Sequence, residues 1–174
     1  MDSAAEGIAQ VNELATHTAM TAWNFGSDFL IILVLIAFFF GFAWYVNRGP
    51  FIAIVLSYYG AYAIYIAFPY EKYLPQAPAL TALLAHVGLY AALGFGFYIV
   101  LRRLVVSDFL YIGNIGLLVL AFLASTFLIA LAYHVFPVSV IYDFTPALDM
   151  LFAPKEYFFW WFVAPAIGLF FLAR

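Results

Sequence analysis

Between Phe29 and Val46 the chain reads FLIILVLIAFFFGFAWYV, without a Lys, Arg, Asp or Glu. A helix rises 1.5 Å per residue, so this run reaches roughly 27 Å, close to a ~30 Å hydrocarbon core. One such run is compatible with a buried helix of a soluble protein. Four more decide against that. They are Phe51–Phe68, Leu80–Leu101, about Tyr111–Phe136 and Tyr157–Leu172, and none carries a Lys, Arg, Asp or Glu. A chain of 174 residues has no soluble shell thick enough to bury all five.

Composition agrees. Hydrophobic residues are 68% and charged residues 9%, against about 45–50% and about 25% in soluble domains. Those fractions exclude an ordinary cytosolic globule and a disordered chain. The net charge is −3 with only six basic residues, which excludes a nucleic-acid footprint. There is no cysteine, hence no disulfide, thiolate nucleophile or Cys-based metal site.

The runs are continuously apolar, whereas a barrel strand alternates. Helices and closed barrels are the structures that satisfy the backbone in lipid. The expected fold is therefore all-α: a polytopic membrane protein with five transmembrane helices, four plus a short C-terminal one that Pro165 would kink. Residues 1–27 read as an extramembrane tail and 28–174 as a single helical membrane domain. In the tail, Ile8, Val11, Leu14, Ala15, Thr18 and Ala22 recur near helical spacing, which fits a weak amphipathic helix or a loose segment. The tail lacks the basic start of a signal peptide.

The connections are punctuated by turn residues. Asn47-Arg48-Gly49-Pro50 predicts a tight turn, with Pro50 at the first helical position of the second span. Three prolines, Pro69, Pro75 and Pro78, follow Phe68. In the longest connection, Thr145 and Pro146 read as an N-cap and first-turn proline of a short interfacial helix to Phe152. Leu148, Leu151 and Phe152 would then face lipid and Asp149 water.

Alternation through five spans puts Arg48, Arg102, Arg103 and Arg174 on one side. Lys72, Lys155 and a tail without Lys or Arg fall on the other. The positive-inside rule then sets the N-terminus outside and Arg174 in the cytoplasm. A four-span count keeps this orientation and moves only the C-terminus. Asp28 and Asp108 fit the positive dipole ends of the first and fourth spans.

Helices associate in lipid through small residues and hydrogen bonds. Gly88, Ala92 and Gly96 repeat at intervals of four in the third span, as do Ala53, Ser57 and Ala61 in the second; the fourth span offers Gly113, Gly116, Ala121 and Ser125. Such faces serve packing within the bundle or a homo-oligomer. Tyr58, Tyr62 and Tyr65 share one face of the second span. His86 lies inside the third span, where an ionisable group is a functional candidate by default. The four form a candidate polar seam; the bland alternative is interfacial placement and internal hydrogen bonds. Asn114, Ser125 and Thr126 can tie helices together. His17, His86 and His134 are too scattered for a metal site.

No Gly-x-Ser-x-Gly turn, His-Glu-x-x-His pair or phosphate loop occurs, and Asp143 and Asp149 fall in a connection. The expectation is a protein without catalytic residues, cofactor or metal. Its partners are the lipid bilayer and a second copy or another membrane protein. A small transporter or channel subunit using the polar seam is the alternative. A lipid-binding intramembrane enzyme with Arg102 and Arg103 on head groups is a third.

This layout resembles the colicin V production protein family of bacterial inner-membrane proteins. The likeness rests on Ser27-Asp28-Phe29-Leu30-Ile31-Ile32, an aspartate opening the first span. It rests also on the turn from Gly41-Phe42 to Arg48-Gly49-Pro50-Phe51, and on a third span closing in Ile99-Val100-Leu101-Arg102-Arg103. It covers roughly residues 27 to 140. The resemblance implies a bacterial inner-membrane protein of about four spans, linked to toxin export and envelope homeostasis.

Overall fold

The computed structural model describes residues 2–104 and 112–172, with the side chains of 2–17, 19, 22, 24, 25, 28 and 71 set aside. Asp108, Arg174, the Tyr111 start of the fourth span and the Asp28 side chain lie outside the described residues. Every regular element among those described is helical: α1 Asp2–Val46, α2 Arg48–Ala67, α3 Tyr70–Tyr73, α4 Ala79–Leu104, α5 Asn114–His134, α6 Pro146–Phe152 and α7 Lys155–Leu172, with a single 3₁₀ turn at Val138–Val140. Four stretches are long and apolar enough to cross a membrane: Phe29–Val46 within α1, then α2, α4 and α5. The chain is a helical membrane protein.

The first span keeps the bounds read from the sequence, Phe29–Val46, while the start of the second differs. Helix α1 is unbroken from Asp2, so the tail continues the helix of the first span. Its first buried described residue is Ile32. Helix α2 begins at Arg48, which puts Pro50 third in the helix rather than first. Proline is tolerated there because the first turn has no intrahelical acceptors for its N–H groups. The first ladder bond runs from the Phe51 amide to the Asn47 carbonyl at 3.4 Å. Asn47 alone links α1 to α2, and it does so at φ 76° and ψ 163°.

Successive long helices run antiparallel. Tyr65, late in α2, meets His86, early in α4. Ile32 of α1 packs with Ile129 and Ala130, late in α5. Helix α5 is the centre of the bundle, flanked by α1 and α7, and Leu117, Leu120, Ala121, Ala124, Phe127 and Leu131 are buried along it. Helix α4 packs chiefly on α2, through Ala82, His86 and Tyr90.

Small residues set the close approaches inside. A Cβ placed on Gly60 would lie 2.5 Å from the Phe97 ring of α4, so only glycine lets α2 and α4 meet there. A Cβ on Gly168 of α7 would collide with Leu123 of α5. Ala53, Ser57, Ala61, Ala121 and Ser125 are all buried.

Helix α6 forms where Thr145-Pro146 predicted it, but not with the expected face. Leu148 and Phe152 are buried in a cluster with Ile32, Ile129 and Ala130, and do not face outward; Leu151 is exposed. The reason is that side chains of the bundle fasten this helix inward. Trp161 donates to the Leu151 carbonyl at 3.0 Å and His134 to the Phe152 carbonyl at 2.8 Å. These are two of the carbonyls a helix C-terminus leaves open. Tyr133 donates to Asp149 at 2.8 Å.

Candidate functional site

The site begins with a histidine that the apolar sequence of α4 carries into the bundle. His86 shares a face with Ala82 and Tyr90, and that face is the one packed on α2. Only 6% of His86 is exposed. Its Nδ1 lies 2.5 Å from the Tyr65 hydroxyl. Tyr65 is itself buried, and its hydroxyl has no other hydrogen-bond partner. A buried phenol proton without an acceptor is costly, so the Tyr65 O–H donates to Nδ1. The proton of the neutral ring is then on Nε2. Aromatic rings hold this pair in place: Tyr70 stacks on Tyr65 at 5.7 Å, and Tyr70 meets the His86 ring edge-on at 5.2 Å.

Next to the pair is a cavity of about 350 Å³. Tyr70, Gln76, His86 and His134 line it together with Ala79, Ala82, Val135, Phe136, Pro137 and Val140. His134 enters from the end of α5. Its Nε2 donates to the Phe152 carbonyl, because a carbonyl only accepts. In the neutral ring, Nδ1 is therefore an acceptor. The cavity sits at the end of the bundle opposite Arg48, Arg102 and Arg103.

The candidate polar seam is brought together only in part. Tyr65 and His86 form one unit. Tyr58 instead stacks its ring on Phe127 at 5.7 Å and 6°, and its carbonyl accepts from Tyr90. Tyr62 packs between Phe158 and Phe162. Neither Tyr58 nor Tyr62 lines the cavity. The hydroxyls of Ser57, Ser125 and Thr126 each donate to a carbonyl of their own helix. Among the described residues no buried side-chain N or O lacks a partner, and no group of His, Asp and Glu is placed to hold a metal.

Gly88, Ala92 and Gly96 face outward, and nothing lies within 4 Å of a Cβ built on either glycine. Arg48 donates to Asn114 at 2.9 Å, tying the starts of α2 and α5. Arg102 and Arg103 close α4, with Phe95, Tyr98 and Ile99 beside them along an open groove.

Two residues escaped the sequence reading. Tyr59 falls off the Tyr58-Tyr62-Tyr65 face yet binds the backbone of α7. Gln76, in a proline-rich connection, reaches the cavity wall. The proximity of His134 to Pro137 in sequence was the one available signal that a polar group sits at this mouth.

No family model, curated protein or solved structure matches the chain.

Proposed function

We propose that this chain is a non-enzymatic integral protein of the bacterial inner membrane that supports envelope homeostasis or export by association, and not a conduit. One observation carries this reading: packed aromatic rings, and not a continuous polar seam, occupy the middle of the bundle. The Tyr58–Phe127 stack and the Tyr62, Phe158 and Phe162 rings fill the space where a seam would run. Self-association is assigned to the outward Gly88-Ala92-Gly96 face of α4, and the colicin V production family remains the class it most resembles.

The proposal includes five spans. Helix α7 lies antiparallel along α5, with Phe158 against His134 at one end and Leu172 against Gly116 at the other. That alignment, and a length of roughly 27 Å, support a fifth span. The N-terminus is outside and Arg174 inside, by the arginine bias.

Two measurements test the reading. The chain has no cysteine, so single cysteines at Ser3 and Arg174 report sidedness without background. An impermeant maleimide is expected to label Ser3→Cys in intact cells and Arg174→Cys only after permeabilisation. Proteoliposomes are expected to show no proton, potassium or chloride flux above empty vesicles. Saturable flux abolished by Tyr62→Phe would overturn the proposal in favour of a transporter.

A further inference from the structure

The Tyr65–His86 pair has a consequence for the cavity beside it. His86 uses Nδ1 on Tyr65 and makes no other hydrogen bond. Since no buried side-chain N or O among the described residues lacks a partner, Nε2 is not sealed off, and we read it as the atom turned to the cavity that His86 lines. A largely buried side chain thus presents one N–H donor to a half-open cleft, with its tautomer fixed from behind by a tyrosine. His134 lines the same space and keeps Nδ1 as an acceptor, and Gln76 and Tyr70 offer groups of either kind. Among the described residues no Lys, Arg, Asp or Glu lines the wall, and alkyl and aromatic carbon makes up most of it. A volume of about 350 Å³ falls in the range of small-molecule sites, which pair apolar walls with a few convergent polar groups.

We propose that this cavity binds a neutral, ring-shaped carbonyl amphiphile of the quinone head-group class. Each feature selects against something else. The uncharged lining among the described residues disfavours phosphate and carboxylate ligands, which would be desolvated without a counter-ion. Apolar walls at the end of membrane-embedded helices select a molecule that partitions into lipid. The His86 Nε2–H requires an acceptor, which a quinone oxygen supplies. The His134 Nδ1 acceptor takes a hydroxyl, which the reduced quinol supplies. Phe136 and Tyr70 add aromatic carbon to the lining, against which a flat ring can pack. Lipid esters share the carbonyl but not the ring, so the two sources separate by experiment.

Purified protein in mild detergent is titrated with a decyl-chain benzoquinone and, in parallel, with didecanoylglycerol. The readouts are thermal midpoint and the 15N shift of His86 Nε2. A saturable rise in midpoint with the quinone and movement of the Nε2 signal are expected. The response weakens about tenfold in His86→Phe, the scale of one lost hydrogen bond. Because His86→Phe also removes the partner of Tyr65, Ala79→Trp is the second variant. Ala79 is exposed at the cavity rim, so tryptophan fills the space while leaving the Tyr65–His86 bond intact. Its titration is expected to be flat. An unchanged quinone curve in Ala79→Trp, or a response to didecanoylglycerol without one to quinone, overturns the assignment.

Discussion

The hydroxyl of Tyr59 in α2 occupies a rung of α7: it donates to the Phe162 carbonyl at 2.7 Å, and it accepts from the Ala166 amide at 3.1 Å. Phe162 and Ala166 are four residues apart, the pair that a regular helix would bond directly. Pro165 stands beside them and has no N–H to give to the Trp161 carbonyl. A side chain inserted into the ladder is a recognised companion of such breaks. The helix that carries the proline is thus stitched to its neighbour at the weakened turn.

Tyr59→Phe is expected to lower stability in detergent by about 1 kcal/mol, the scale of interhelical hydrogen bonds in membrane proteins. Pro165→Ala restores the missing donor, so the loss from Tyr59→Phe is expected to shrink in that background. A double-mutant cycle read by thermal unfolding checks this. Strict additivity would show that the hydroxyl does not serve the proline turn.

That contact also marks where the sequence stops being legible. The spans were readable because lipid imposes a length and forbids charge, and 29–46 reappears as the apolar part of α1. Which residues touch was not. Tyr58, Tyr62 and Tyr65 do lie along one face of α2, but helical spacing gives no neighbour: the first meets Phe127, the second Phe158 and Phe162, the third His86. Leu148 and Phe152 were misread because amphipathicity alone does not tell lipid from a protein core, when both are apolar. The Tyr65–His86 bond spans 21 residues and depends on the α2–α4 register, which Gly60 against Phe97 fixes.

Gly60→Ala is expected to cost about 1–3 kcal/mol, because the Phe97 ring must move out of a packed interface. Gly88→Ala, on the open face of α4, is the control and is expected to leave the midpoint of the solubilised monomer unchanged. Phe97→Leu shortens the obstruction, so Gly60→Ala is expected to cost less in that background. Equal losses at Gly60 and Gly88 would mean that the close approach carries no energy.

The turn at Asn47 makes a backbone prediction. A φ of 76° with ψ near 163° is a region that glycine alone occupies freely, and other residues pay about 1–3 kcal/mol there. Asn47→Gly is expected to hold or raise the thermal midpoint, the relief of strain offsetting the extra freedom of the unfolded chain. Asn47→Val is expected to lower it by a further 1–3 kcal/mol or so, because a β-branched residue resists positive φ. A midpoint for Asn47→Val equal to that of the parent would show that the turn is not held at this geometry.

Self-association is tested on α4. Gly88, Ala92 and Gly96 lie on the face turned away from α2, with Leu84, Phe95 and Ile99 exposed beside them. Without a hydrophobic drive in lipid, a second helix gains most by approaching such small residues closely. Gly96→Leu is therefore expected to shift the protein from a dimer to a monomer band in blue-native electrophoresis in mild detergent. Its monomer should unfold at the parental midpoint, because no intramolecular contact is touched. Leu120→Ala, buried in the centre of α5, is expected to do the reverse, with a loss of about 2–5 kcal/mol and an unaltered band. A parental protein that migrates as a monomer, with Gly96→Leu no different, would remove the association from the proposed function and leave the internal packing argument intact.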